Sequence, residues 1–221
     1  QALRDYYETW YRPDQQGIIV VGDIDVDKVE AKIKEMFSPI KMPANAPERK
    51  YEPVADNKEP IITIAKDKEQ PSTMIYIWHK HPATPNEAKG NIGYLVQNYL
   101  FSMISSMMHA RLEELRQGAN PPFIQAASGD FLLSKTAEAC VGMAVSKDDG
   151  IPTAISTLVR EIERARKFGF TASEYARAKA DYLRSLESAY NERDKMKNNQ
   201  YVQEYVRHFI DNEPIPGIEM E

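Results

Sequence analysis

The strongest structural signal in this chain is Tyr6-Tyr7-Glu8-Thr9-Trp10-Tyr11-Arg12-Pro13-Asp14, followed shortly by Ile18-Ile19-Val20-Val21-Gly22-Asp23. Apolar residues recur at helical spacing over residues 1–11, which predicts a short amphipathic helix. Pro13 disfavours helical backbone geometry at Arg12, so this helix is expected to end there. The uninterrupted apolar run Ile18–Val21 predicts a buried strand that is covered on both faces. A second amphipathic helix is expected over about residues 26–37.

The remainder of the chain alternates between strand and helix patterns in an irregular order. Residues 38–60 are rich in proline and charged residues, which predicts an extended surface connector. Beyond it, we expect two strands at 61–65 and 73–78, a long helix at 86–117, two more strands at 123–128 and 137–145, and two helical regions at 151–168 and 171–211. The last region is expected to begin with a capping box, in which Thr171 is the N-cap and Glu174 lies three residues further on. This order predicts an α+β fold in which helices pack against a mostly antiparallel sheet.

The domain organisation follows from these boundaries. We expect a single domain over residues 1–212 that includes the connector 38–60. Residues 213–221 are interpreted as the start of a linker to a following domain, because they are rich in proline and lack apolar periodicity. The chain is accordingly expected to be a piece of a longer polypeptide.

Composition excludes several classes of protein. The chain has 221 residues, 42% of them hydrophobic, and a net charge of −5. This apolar content is sufficient for a core, and the acidic balance argues against nucleic-acid binding, which needs a basic surface. No apolar run is long enough to span a membrane. The single cysteine, Cys140, excludes an internal disulfide framework and is expected to be a buried structural thiol among small neighbours.

No complete catalytic or metal-binding motif is present. The four histidines do not form the His-Glu-x-x-His motif or its inverted form His-x-x-Glu-His, which place zinc ligands one helical turn apart. His79 and His81 could offer two imidazoles from one face of a strand, but no carboxylate or cysteine lies near them in the sequence. The pair is therefore interpreted as a solvated strand end. We expect no catalytic residue, no metal ligand and no bound cofactor in this chain.

The charged residues near the end of the long helix have a structural interpretation. Glu113 and Glu114 lie beside Arg111 and Arg116, and side chains three apart on a helix are neighbours. We expect a solvated helix face with charge pairs of this spacing.

Three stretches resemble the pitrilysin/insulinase-type zinc metallopeptidases, the inverzincins. Tyr6–Asp14 with Ile18–Asp25 resembles the family's Tyr-x-x-Trp-Tyr-Arg-Pro-Asp helix end and the Val-Val-Gly-Asp strand after it. Ala110–Arg116 resembles a Ser-Arg-Leu-x-x-x-Leu-Arg helix, and Thr171–Leu183 resembles a helix that follows a Gly-(Val/Phe)-Thr-x-x-Glu pattern. The three occur in family order. The resemblance implies the fold of the mitochondrial-processing-peptidase/insulinase-type metallohydrolase domain.

The resemblance also implies a site. Such a domain can contribute an Arg and a Tyr, seven residues apart, to the substrate cleft of the zinc domain. Arg116 matches the Arg, but Phe123 stands where the Tyr is found, and a phenyl ring cannot donate a hydrogen bond to an oxyanion. Arg116 and Phe123 are therefore the candidate substrate-binding residues, in a domain without catalytic residues of its own.

The functional expectation is an accessory, substrate-chamber domain of a zinc-dependent endopeptidase that degrades peptides or small proteins. The implied partners are a preceding zinc-binding domain, which would hold the zinc, a following second half of the same chain, and a peptide substrate. The resemblance leaves the compartment unknown, with a periplasmic or other extracytoplasmic location compatible with it. The alternatives are a structural or assembly subunit of the same fold without peptidase activity, and an unrelated binding module.

Overall fold

The computed structural model describes residues 1–218, which group into two compact units. One unit comprises residues 1–50 together with the described residues from 189 onward, and the other comprises residues 51–188. Within the described residues the helices are α1 Ala2–Trp10, α2 Val26–Phe37, α3 Asn86–Lys89, α4 Ile92–Arg116, α5 Ile151–Phe168, α6 Ala172–Asn191 and α7 Asn198–Asp211, and the strands are β1 Thr73–Pro82, β2 Gln125–Ser134 and β3 Ala137–Ser146. The single-domain interpretation of residues 1–212 stays a prediction, as does the linker 213–221, of which residues 219–221 lie outside the described part.

The Arg-Pro-Asp segment after α1 has a clear structural role. The Arg12 side chain is almost fully buried and donates through Nε and Nη2 to the two carboxylate oxygens of Asp14, both at 3.0 Å. Its Nη1 donates to the carbonyl oxygen of Pro47 at 2.7 Å, and its guanidinium lies 5.7 Å from the centre of the Trp10 ring. The forked guanidinium therefore ties the end of α1 to a segment 35 residues further along the chain.

The sheet of the second unit has the strand order β1-β3-β2 and is antiparallel throughout. One face carries the core: Ile75, Ala126 and Ala144 from the strands pack with Leu112 of α4 and Leu158 of α5. Both helices thus cover the same face, which confirms the expected α+β arrangement with helices on one side of an antiparallel sheet.

The opposite face of the sheet is less covered. Met74, Tyr76 and Trp78 alternate along β1 with the core residues and are 45–47% exposed. The rings of Tyr76 and Trp78 stack at 5.8 Å between centroids. We call these three residues the free sheet face.

The start of α6 confirms the predicted capping box. The backbone N–H of Glu174 donates to Thr171 Oγ1 at 3.2 Å, and the backbone N–H of Thr171 donates to Glu174 Oε2 at 2.6 Å. This reciprocal pair satisfies two amide donors that a helix N-terminus leaves without helical partners.

Two predicted strands are wrong. Residues 17–22 and 61–65 form no strand, and neither range belongs to the three-stranded sheet of the described chain. Ile18 is 47% exposed and Ile62 is 84% exposed, so the expected burial is absent as well. A strand needs a neighbour for its backbone hydrogen bonds, and an apolar pattern alone does not supply one.

Candidate functional site

Arg116 lies at the exposed C-terminal end of α4. Its guanidinium donates through Nε to Glu113 Oε2 at 2.7 Å and through Nη2 to Glu113 Oε1, and Gln117 Nε2 donates to the same carboxylate at 2.8 Å. These bonds, first those from Arg116 and then that from Gln117, lower the pKa of Glu113 to about 2. The predicted pairing of Glu113 with Arg116 is confirmed. An exposed guanidinium with a single carboxylate partner is able to exchange it for a carboxylate or carbonyl of a ligand.

Phe123 lies seven residues further on, just before β2, in a different environment. Its ring is only 3% exposed and belongs to the core with Leu112, Ala126 and Leu158. The helix-to-strand corner thus presents Arg116 to solvent and turns Phe123 inward. The substrate-binding roles of both residues stay predictions. In this conformation the buried Phe123 ring packs under the corner between α4 and β2.

Arg111, the other arginine of the same motif, has a structural partner far away in sequence. It is 7% exposed and binds the Glu174 carboxylate through both Nε and Nη2, at 2.5 and 3.0 Å, while Nη2 also donates to the carbonyl of Gly169. The Arg111 hydrogen bonds, with smaller help from Thr171, hold the pKa of Glu174 at about 2. The guanidinium also lies 4.5 Å from the centre of the Phe170 ring. Arg111 therefore joins α4 to the capping box of α6.

A cluster that the sequence analysis missed lies at one end of the sheet. His81 Nε2 is 2.8 Å from Asp130 Oδ1, and His81 Nδ1 is 3.9 Å from Glu138 Oε2 and 3.2 Å from the carbonyl oxygen of Pro82. The hydrogen bond with Asp130 raises the pKa of His81, partial burial opposes this, and Pro82 and Glu138 add to the increase. We call His81, Asp130 and Glu138 the strand-end cluster.

The neighbouring thiol corrects one expectation. Cys140 is exposed, not buried. Its small neighbours suggested burial, and the adjacent Ala139 and Val141 are buried, but the Cys140 side chain itself is not. The pKa of the thiol is raised by desolvation and by the nearby Asp130 carboxylate.

None of the helices within residues 1–218 combines the length and apolar character that crossing a bilayer requires.

The described residues form an α+β fold. They contain no inverted His-x-x-Glu-His zinc motif. Residues 1–182 match the family model described as the Peptidase M16 inactive domain. The chain belongs to this family. The resemblance to insulinase-type metallopeptidases is thereby confirmed, and the chain is a non-catalytic domain of the metallopeptidase type.

Curated relatives agree with this assignment. The chain is 25% identical over 225 residues to "Zinc protease PQQL-like" of Arabidopsis thaliana and 26% identical over 189 residues to "Probable zinc protease PqqL" of Escherichia coli, covering 100% and 85% of this chain. In both cases the match spans 20% of the relative's own length. The chain therefore corresponds to about a fifth of these proteins.

Solved structures show the same fold. The first half of the periplasmic protease PqqL from Escherichia coli aligns with a TM-score of 0.75 at 23% identity, covering 98% of this chain and 46% of that structure. The structure described as "Predicted insulinase family protease from Yersinia pestis" aligns with a TM-score of 0.77 at 16% identity, covering 99% of this chain and 46% of that structure. At these sequence identities, the structural similarity establishes a shared fold but assigns no role to individual residues.

Proposed function

We propose that this chain is the non-catalytic domain of the first half of a zinc-dependent endopeptidase that degrades peptides or small proteins. The observation that carries the proposal is the match of residues 1–182 to the inactive M16 domain. The zinc would be held by a preceding domain with the inverted His-x-x-Glu-His motif. A second half of the same polypeptide would follow and close the chamber around the substrate.

The contribution of this domain would be to shape the chamber wall. The corner that carries Arg116 is exposed, and its guanidinium can hold a peptide carboxylate or carbonyl. Phe123 lies beneath the corner and supplies no donor, so the domain would bind peptide without assisting the chemical step. The exposed free sheet face offers apolar area to the other parts of the polypeptide.

The location of the full-length protein is proposed to be extracytoplasmic. Support comes from PqqL of Escherichia coli, which is described as a periplasmic protease and shares this fold.

A comparison of three proteins tests the function: the 221-residue chain, the full-length protein, and the full-length protein lacking these 221 residues. We expect the full-length protein to cleave quenched fluorescent peptides and to lose this activity when zinc is chelated. The isolated chain should show no chelator-sensitive turnover, and the deletion should lose at least a hundredfold in kcat/KM.

Each contrary result has a defined meaning. Turnover by the isolated chain would overturn its assignment as non-catalytic. A full-length protein that cleaves no peptide, with or without added zinc, would support a structural or assembly subunit instead. Full activity of the deletion variant would show that these 221 residues are not needed to form the substrate chamber.

A further inference from the structure

The strand-end cluster draws one side chain from each strand of the sheet. His81 lies on β1, Asp130 on β2 and Glu138 on the central strand β3. His81 and Glu138 are opposed in the β1–β3 ladder. Asp130 is opposed to Cys140, two residues beyond Glu138, so it occupies the same face one step along. Sheet register alone therefore brings together three residues that are far apart in sequence.

The donor set is suited to a divalent transition metal. It offers one imidazole nitrogen and two carboxylates, and the three ligand atoms lie within 4.8 Å of one another. Zinc binds imidazole and carboxylate at about 2.0–2.2 Å, which places ligand atoms of a tetrahedral site about 3.3 Å apart. His81 Nε2 and Asp130 Oδ1 lie 2.8 Å apart, so they must separate slightly to bind one ion. Glu138 Oε2 lies 3.9 Å from Nδ1, the other ring nitrogen, so Glu138 must turn toward the Nε2 side to become the third ligand.

Burial and charge also favour a cation. The Asp130 and Glu138 side chains are only 16% and 14% exposed, whereas His81 is 33% exposed. Two carboxylates held close together in a partly desolvated site repel each other, and a divalent ion between them removes this repulsion. The more exposed histidine side leaves a path for entry and room for water as a fourth ligand.

The outer contacts of the ligands fix their orientation. The Thr84 backbone N–H donates to Glu138 Oε1 at 3.2 Å, which leaves Oε2 on the side of His81. The Phe101 ring of α4 lies 6.5 Å from the imidazole, between centroids, and limits its movement. Such supporting contacts are what hold metal ligands in a productive geometry.

We propose that His81, Asp130 and Glu138 bind one divalent transition-metal ion, for which Zn²⁺ is the best fit, and that this ion cross-links the three strands. This revises the sequence-based expectation that the chain binds no metal. The proposal does not depend on the peptidase function. An ion that binds only the folded sheet stabilises it by an amount that grows with the logarithm of the free ion concentration once that concentration exceeds Kd.

Calorimetric titration of the EDTA-treated and dialysed 221-residue chain with ZnCl₂ at pH 7 tests the proposal. We expect one Zn²⁺ per chain, with a Kd below about 10 μM and a rise of a few degrees in Tm. His81→Ala and Asp130→Asn should each weaken binding at least tenfold. His79→Ala is the matched control, because it removes an exposed imidazole from the same strand outside the cluster.

Circular dichroism separates loss of the site from loss of folding. Should Asp130→Asn fail to fold, Glu138→Gln measured at the same metal concentrations replaces it. Binding of Mg²⁺ as tight as that of Zn²⁺ would overturn the assignment to a transition metal. Absence of stoichiometric zinc, or equal weakening in His79→Ala and His81→Ala, would overturn the site itself.

Discussion

Phe123 is buried, so substitutions at this residue can distinguish a role in packing from a role in substrate binding. Phe123→Tyr restores the hydroxyl expected from the family resemblance, but places it among Leu112, Ala126 and Leu158. A buried hydroxyl without a partner costs about 1–3 kcal/mol. We expect Phe123→Tyr to lower the free energy of unfolding by this amount, measured by urea denaturation. Phe123→Leu serves as the packing control, because it leaves a cavity without adding a polar group, and should cost about 1–2 kcal/mol. A stabilised Phe123→Tyr variant would show that the ring has access to solvent or a donor partner.

A substitution at Arg116 tests the effect of this corner on peptidase activity, as Phe123→Tyr tests its effect on stability. The Arg116 side chain is 43% exposed and is paired with Glu113 on its own helix turn, so replacing it should leave stability nearly unchanged. In the full-length protein we expect Arg116→Ala to reduce kcat/KM by less than about tenfold, under about 1.4 kcal/mol of transition-state stabilisation. Kinetics on several peptides decide this. A hundredfold loss with intact folding would mean that Arg116 acts at the reaction centre without a Tyr.

The Arg111–Glu174 pair makes stability depend on pH. The native pKa of Glu174 is about 2, below the value of about 4.3 for a solvated Glu. The pair therefore stabilises the fold above about pH 4.5, and its contribution is lost as the pH falls toward 2. We expect Glu174→Gln to cost about 2 kcal/mol at pH 7 and to flatten the decline of stability between pH 5 and 3. Thermal melts across this range measure it. Glu163→Gln, which breaks an exposed pair with Arg166, should change neither quantity.

At the scale of elements, the contact between α5 and β3 is unusually close at Gly142. A Cβ at this position would lie 2.8 Å from Ile162 Cδ1 and 3.4 Å from Leu158 Cγ. We expect Gly142→Ala to destabilise the fold by about 1–3 kcal/mol, because the helix must shift or Ile162 must change rotamer. Gly90→Ala is the control, since its Cβ would meet nothing within 4 Å. Chemical denaturation of both variants tests this. Equal stabilities would show that α5 moves away from the sheet at little cost.

The elements that sequence predicts well are those that depend on local contacts. The helix over 151–168 is confirmed, as is the Thr171 capping box, because helical periodicity and caps involve residues within four positions of each other. The strands at residues 17–22 and 61–65 are wrong for the opposite reason. Their apolar runs describe a segment suited to a strand, but pairing depends on residues elsewhere in the chain.

The candidate sites divide in the same way. The Arg116–Glu113 pair has the three-residue spacing of neighbours on a helix, so the sequence predicted it. The strand-end cluster was missed because Asp130 is 49 positions from His81, and only the antiparallel register brings them together. The cluster could have been found only by predicting how the Ala137–Val145 strand pairs, residue by residue, with the strands on either side of it.

At the scale of the whole molecule, the free sheet face and the proposed assembly make a joint prediction. We expect hydroxyl-radical oxidation of Met74, Tyr76 and Trp78 to be high in the isolated chain and reduced at least threefold in the full-length protein. The physical reason is that apolar side chains half exposed in one domain are covered when a neighbouring domain packs on them. Met107, which is 6% exposed, should be protected in both proteins. Equal oxidation of Trp78 in the two proteins would show that no neighbouring domain covers the free sheet face in the full-length protein.

The order β1-β3-β2 also has a consequence for how the chain is made. The central strand β3 is the last of the three to be synthesised, and both ladders require it. β2 and β3 are consecutive, so they can pair as soon as the ribosome releases them. β1 must wait while more than sixty further residues are translated, which at 5–20 residues per second takes roughly 3–13 s. Throughout that delay an unpaired strand carrying Tyr76 and Trp78 is available to other chains, so the yield of folded protein should depend on translation speed between Pro82 and Ser146.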